Sequence, residues 1–380
     1  MVEISPDNRK FTRDEQLYIC SGSGLGGTGK TSIGKTIQDV IGRMSGGRDS
    51  SRFKEPPREE FGGFSPYEIL AGEHFEDSPM ARLPYMAAIR HTMWNNTDFP
   101  WYIPDDVPVL IGDRSPFDSF LQHATPIADV HFNPWGKDVW KLMYGQFNIP
   151  FPDILPLLHP ADGIASVEER LRGRKEGALD VFDLPGRQKE EYAHFLALAE
   201  VVSSQFPGVY NVMSGQILPV DNELGRVDAG LILGLLSVAA GVEKGAIPTL
   251  MGGGQSVPLY RLGADPRVTA YYYDLGKSLM YESNSEVVRK GAAGKFNMRS
   301  ADIGVVWSRS LVDHYPPPSV VAYALEPGAK GMKDEEINNY LRDSITNSQF
   351  TLVSPETRYG SNLYQSRFPG TNRAWSEITW

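Results

Sequence analysis

One cysteine in 380 residues excludes an internal disulfide and leaves no thiolate set for a structural zinc site. Cys20 falls in an apolar run and reads as a small buried residue. Long hydrophobic runs are also missing. The most apolar stretch, Val227 to Ala240, is interrupted by glycine and falls short of the roughly 20 residues that span a bilayer. The first residues, Met1 to Asp7, include Glu3 and Asp7 and lack the apolar centre of a leader peptide. Positive charge is in deficit: 37 Lys and Arg against 47 Asp and Glu give a net charge of -10. That balance disfavours broad electrostatic attachment to DNA or an anionic membrane, while leaving room for a local basic groove. These absences describe a chain of a reducing cytoplasm, not attached to membrane. Its length exceeds what one hydrophobic core usually supports, so two domains are expected.

What is present is punctuated by glycine. Gly24-Leu25-Gly26-Gly27-Thr28-Gly29-Lys30-Thr31 fits G-x-x-x-x-G-K-[ST], a loop whose backbone amides cradle phosphates. Lys30 would reach the β- and γ-phosphates and the Thr31 hydroxyl would ligate Mg²⁺; Ser32 follows in the same turn. The flanks agree. Gln16 to Cys20 reads as a buried strand, and Thr31 to about Arg43 as a helix with Ile33, Ile37, Val40 and Ile41 on one face. Such a helix presents the positive end of its dipole to the phosphates. The predicted phosphate-binding set is therefore Gly24, Gly26, Gly27, Thr28, Gly29, Lys30, Thr31 and Ser32.

Residues 1–241 alternate strand and helix, the pattern of a parallel sheet covered by helices. Ser45 to Arg58 is polar and glycine-rich. Met86 to Trp94 has helical patterning, and Pro108 to Gly112 reads as a central strand ending at Asp113-Arg114-Ser115. Asp153 to Leu158 reads as a further strand, against which Pro156 argues. A charged helix from Ala165 leads into Arg170-Leu171-Arg172-Gly173-Arg174. Another runs from Gln188 to Ser203, with Tyr192, Phe195, Leu196, Ala199 and Val202 at helical spacing. Val209 to Met213 adds a last strand and Gly225 to Ala240 a closing helix. Residues 242–380 differ in character, with Gly252-Gly253-Gly254, a stiff Pro316-Pro317-Pro318 connector, and Tyr271-Tyr272-Tyr273. The tyrosines read as a strand with one packed face; exposed rings forming a binding surface are the alternative.

Taken together, the motifs of residues 14–240 resemble the thymidylate kinases and the wider nucleoside and nucleotide kinases. Beyond the glycine loop, the resemblance rests on five elements. These are Asp113-Arg114-Ser115 after an apolar strand, Ala87-Ala88-Ile89-Arg90, Phe53-Lys54-Glu55-Pro56, Pro152-Asp153-Ile154, and the arginine-rich segment 170–174 followed by Asp180-Val181-Phe182-Asp183. The fold it implies is the α/β, three-layer αβα arrangement of P-loop NTPases with a parallel sheet. An α+β extension or domain over 242–380 would be added. The activity implied is ATP- and Mg²⁺-dependent phosphoryl transfer, which needs positioning and charge neutralisation more than covalent chemistry. On this resemblance Lys30 holds the donor phosphates, and Thr31 and Asp113 hold the metal. Arg172 or Arg174 neutralises charge from a closing lid. Arg114, Arg90, Glu55, Gln122 and Tyr85 attend the acceptor. A homodimer is compatible with the family habit.

Several positions depart from that family. Gly26 and Ser23 stand where acids are usual, Lys54 replaces an arginine, Ile89 an aspartate, and Met86 a stacking phenylalanine beside Tyr85. Donor-side groups are kept while acceptor-side groups change, which suggests a different acceptor. Three readings follow. The first is a kinase for a nucleoside monophosphate, dTMP or a modified deoxyuridylate first. The second is a kinase for a hydroxyl on a modified base in nucleotide or DNA. The third is a nucleotide-binding structural or interaction protein whose P-loop is not catalytic.

Overall fold

The computed structural model describes residues 10–45, 50–60, 62–63, 65–71, 75, 81–115, 117–118, 121, 149–160, 163–172, 185–205, 209–214, 233–234, 236–238, 240–241, 259–274, 297–300, 303–307, 319–329 and 331–352. A parallel sheet forms its N-terminal half. β1 (Leu17–Cys20) pairs with β3 (Val109–Gly112), which pairs with β2 (Ser50–Phe53). β4 (Leu155–Pro160) pairs in parallel with β5 (Val209–Ser214). The two ladders meet at single bridges, Ile19 to Ile154 and Ser23 to Leu157, giving the order β2-β3-β1-β4-β5.

Pro156 accounts for the interrupted join. Its carbonyl accepts from the Ser23 amide at 2.8 Å, and the Leu158 amide donates to the Ser23 carbonyl at 2.8 Å, yet proline has no N–H to complete the ladder. β4 tolerates the proline because its regular pairing lies on the other side, with β5. The break falls where the chain leaves β1 for the glycine loop. Asp153 ties the strands below it: its Oδ2 accepts from the Tyr18 amide at 2.7 Å, and its own amide donates to the Tyr18 carbonyl at 2.7 Å.

Alternation along the strands supplies both faces of the sheet. Tyr18, Cys20, Leu110, Leu155 and Leu157 pack against α3 (Arg82–Asn95) and the Phe195 and Ala199 side of α5 (Pro185–Gln205). Leu17, Ile19, Val109 and Ile111, equally buried, point the other way. α1 (Lys30–Ser45) buries Ile33, Ile37, Val40 and Ile41 and crosses β2 and β3. Gly34 lets α1 approach closely: a β-carbon there would lie 2.7 Å from that of Ser21. Of two shorter helices, α2 (Pro66–Ala71) packs Leu70 on Met86 of α3, and α4 (Gly163–Arg172) lies against β4 and α5. Helical residues near 234 pack on α1, where a β-carbon on Gly234 would meet Val40 at 2.8 Å. The expected parallel sheet with helices on both faces is thus present.

The structure corrects the local reading in three places. β2 lies inside the stretch read only as polar and glycine-rich; Ser50 to Phe53 carries one apolar residue and pairs only at the sheet edge. Leu196, placed on the apolar face of α5, is 43% exposed, whereas Gln188 and Glu191 are buried on that helix. The tyrosine strand packs on both faces: Tyr271 and Tyr272 are each buried.

That strand belongs to a six-stranded antiparallel sheet in the order β11-β6-β7-β10-β9-β8. Its members are β6 (Leu259–Leu262), β7 (Val268–Asp274), β8 (Asn297–Ser300), β9 (Ile303–Trp307), β10 (Ser319–Leu325) and β11 (Phe350–Leu352). One face is covered by α6 (Asp334–Thr346), whose Ile337, Leu341 and Ile345 meet Leu262, Tyr272, Val321 and Leu325. β8 lies against β5 of the parallel sheet. The Pro316-Pro317-Pro318 segment lies outside the described residues. Among the described residues no helix is long and apolar enough to cross a membrane.

Candidate phosphate-binding site

The glycine loop runs from β1 into α1 as the motif requires. Gly24, Gly27 and Gly29 have φ of 147°, 75° and 90°, values that side chains with a β-carbon rarely adopt. At Gly24 space is limiting too, because a β-carbon would stand 2.8 Å from the Leu158 carbonyl oxygen. Lys30 Nζ donates to the carbonyls of Gly24 at 2.6 Å and Leu25 at 2.8 Å, so its ammonium is held over the loop. Thr28 is buried and donates to the Leu25 carbonyl at 2.8 Å. Thr31 and Ser32 are exposed in the first turn of α1, and Gly26 is half-buried in the loop.

Asp118 anchors the loop from below. Fully buried, it accepts from Ser23 Oγ at 2.7 Å, the Gly24 amide at 3.2 Å and the Ser115 amide at 2.9 Å. Ser115 Oγ in turn accepts from the Phe117 amide at 3.1 Å. Ser115 and Asp118 thus cap this turn together, and Ser115-Pro116-Phe117-Asp118 carries the S-x-x-D spacing of a capping box in the sequence. The additional reach of Asp118 to Gly24 has no local signal; only the fold brings them together.

α4 covers the outer side of the loop. Leu25 packs with Val167 and Leu171, and Arg170 donates to the Gly27 carbonyl at 3.2 Å and to Ser166 Oγ at 3.1 Å. Arg170 therefore fastens the loop to the helix. Arg172, two residues further along, is 72% exposed and lies 3.6 Å from Glu168, an exposed ion pair of little strength. Arg174 and Gln122 lie outside the described residues.

The acceptor-side candidates are distributed differently. Arg90 is fully buried: its Nε donates to Glu55 Oε2 at 2.6 Å and its guanidinium to the Ser115 carbonyl at 3.0 Å. Burial pushes the Glu55 carboxyl up, while the charge and hydrogen bond of Arg90 pull it down. The Glu55–Pro56 peptide bond is cis. Tyr85 is half-buried, its hydroxyl donating to the Pro66 carbonyl at 3.3 Å and its ring 5.4 Å from that of Phe75. Met86 is buried against Leu70. Asp113 receives Arg52 Nε at 2.5 Å, and Arg114, next along the chain, is half-buried.

A second carboxylate reaches this region from α5. Glu191 is fully buried and bonded to Arg187 Nε at 2.8 Å. Burial pushes its acid up to about 7, against the opposing charges of Arg187, Lys30 and Arg114. Sequence reading missed Arg52, Asp118, Arg187 and Glu191. The available signal for the last pair was its spacing of four on a helix, together with the alignment of Gln188 and Glu191 along the Phe195 and Ala199 stripe.

A parallel α/β sheet, a glycine loop of the pattern G-x-x-x-x-G-K-[ST] between its β1 strand and the following helix, and Lys30 and Arg170 held against that loop give the chain the αβα arrangement of a P-loop fold. No family model matches the chain, and no curated protein does. Among solved structures, a thymidylate kinase from Candida albicans is similar at 16% identity and a TM-score of 0.42, over 60% of this chain and 92% of that one.

Proposed function

We propose that this chain transfers a phosphoryl group from ATP to a nucleoside monophosphate, with dTMP or a modified deoxyuridylate as the first acceptors to try. The observation that carries the reading is the glycine loop itself, with Lys30 held across it by the Gly24 and Leu25 carbonyls. Those groups suit a donor's phosphates. Thr31 and Asp113 supply a hydroxyl and a carboxylate, a donor set that fits Mg²⁺ bound chiefly through phosphate oxygens and water. Among the described residues no group of three or more His, Cys, Asp or Glu side chains could hold a metal by itself. The ion would neutralise phosphate charge there. Arg172, exposed at the end of α4, is free to swing toward the transferred group, and its partner in that role is Arg174.

A second reading draws support from Arg90. Its enclosure with Glu55 and Ser115 leaves Arg114 as the remaining acceptor-side guanidinium among those expected. An acceptor presenting a hydroxyl on a modified base, in a nucleotide or in DNA, needs fewer phosphate clamps.

A coupled assay for ATP turnover with Mg²⁺ against all ribo- and deoxynucleoside monophosphates tests the proposal, with Lys30→Ala as control. One acceptor should dominate and Lys30→Ala should lower turnover by roughly 10² or more. ATP binding without turnover on any monophosphate would shift the acceptor to the modified-base hydroxyl, and the same assay with hydroxymethylated oligonucleotide then decides.

A further inference from the structure

Glu191 is a carboxylate with no exposed side-chain surface. An ionised carboxylate in such a place demands compensation. One oxygen receives Arg187 Nε at 2.8 Å; the other, Oε2, is buried without a hydrogen-bond partner. The further charges acting on it are those of Lys30 and Arg114. Lys30 is fixed to the Gly24 and Leu25 carbonyls, and the neighbours of Glu191 on α5 reach the same loop: Tyr192 packs against the Leu25 cluster, and a β-carbon on Gly24 would lie 3.6 Å from the Phe195 ring. The elements meeting there are the start of α1, the exit of β3 and the first turns of α5.

We propose that Arg187, positioned by Glu191, is a phosphate-binding cation of the nucleotide site alongside Lys30 and Arg114. This rests on the phosphate-binding reading of the loop. The geometry favours the arginine as the contacting member: Arg187 keeps 17% of its side-chain surface exposed and Glu191 keeps none. An anion arriving from solvent can reach the Arg187 side chain and not the Glu191 carboxylate. Glu191 is also poorly suited to a metal ion, because a divalent cation would join Arg187, Lys30 and Arg114 around one carboxylate. Its task is to hold the Arg187 fork in one orientation, so that less freedom is lost when phosphate binds.

The arrangement has a second consequence. Phosphate oxygens bring negative charge toward Glu191, and like charge raises the affinity of a carboxylate for its proton. Arg187 from its own helix and Lys30 and Arg114 from the facing elements oppose that protonation in the free protein; bound phosphates screen all of them. ATP binding near neutral pH is then accompanied by proton uptake.

Titration calorimetry of the full chain with ATP and Mg²⁺, in buffers of different ionisation heat at pH 7, tests this with Arg187→Met, Arg187→Lys, Glu191→Gln and Lys30→Ala. Arg187→Met should weaken ATP binding roughly tenfold or more, and Arg187→Lys should fall between it and the native chain. Glu191→Gln should weaken binding less and take up fewer protons than the native chain, a change that a merely structural role would not produce. Should Arg187→Met fail to fold, Arg187→Lys and Glu191→Gln carry the test. Native affinity in the folded arginine variants, with unchanged proton uptake in Glu191→Gln, overturns the assignment. If Lys30→Ala abolishes binding in that same experiment, the phosphate site stands and only Arg187 is removed from it. A native chain that does not bind ATP overturns both.

Discussion

At the scale of single residues, the buried ionisable groups are the most exacting feature. Arg90 and Glu55 are enclosed together, and removing one partner strands the other. Arg90→Met should lower unfolding free energy by about 3–5 kcal/mol, read from chemical denaturation at pH 7. Glu191 makes a prediction of the opposite kind. Burial raises its acid from the ordinary carboxylate value of 4.5 to about 7, so between those values the folded chain holds a proton that the unfolded chain has released. Stability contributed by this group is complete below the unfolded value and is lost as pH rises through the folded one. Glu191→Gln removes the titration. Relative to pH 4.5, the native chain should lose about 3 kcal/mol by pH 8 that the variant retains. Parallel denaturation curves for the two proteins across that range would contradict the burial.

At the scale of elements, the loop and its supports were unequally legible. The strand, loop and helix could be read from Gln16 to Arg43 because an apolar run, glycines and a helical stripe occur in sequence. The helix observed, Lys30–Ser45, begins a residue earlier and ends later. α5 was placed as well, with Phe195 and Ala199 on its buried face as expected, but one residue of the predicted stripe and one buried acid were misassigned. Leu196 faces solvent while Glu191 is buried, and an apolar-periodicity reading counts a carboxylate as surface. What holds the loop is non-local: Asp118 reaches Gly24 across 94 positions. Asp118→Ala would leave the Ser23 hydroxyl and the Gly24 and Ser115 amides without this acceptor. Unpaired buried donors cost about 1–3 kcal/mol each. The variant should melt earlier and bind ATP at least tenfold more weakly, whereas Asp118→Asn, which keeps an acceptor oxygen, should fall between. Equal ATP affinity in all three proteins would show that the loop is held by its own glycines and Lys30.

At the scale of the whole molecule, the C-terminal part was the least legible. Antiparallel pairing among short strands depends on partners far apart in sequence, such as Val320 with Tyr273 and Phe350 with Leu262, and periodicity cannot choose among them. The reading nevertheless divided the chain between residues 241 and 242. The observed contacts make that division consequential. β8 lies against β5, and Tyr210 on β5 is fully buried, with its hydroxyl pushed well above the ordinary range by burial and by Tyr323 of the second sheet. A chain ending at residue 241 would uncover Tyr210 and leave β5 as a bare edge, the kind of strand that pairs with other chains. Its glycine loop would be complete, so the proposed ATP binding, per folded molecule, should survive. Its folding should not: the fragment is expected to melt well below the full chain and to associate as concentration rises, measured by thermal unfolding and light scattering. A monomeric fragment with the melting temperature of the full chain would show instead that the two sheets are independent. Tyr210→Ala in the full chain gives the complementary reading. It deletes the buried ring while leaving both sheets present, and a loss of about 3–5 kcal/mol would place the coupling in that contact and not in the β5 edge.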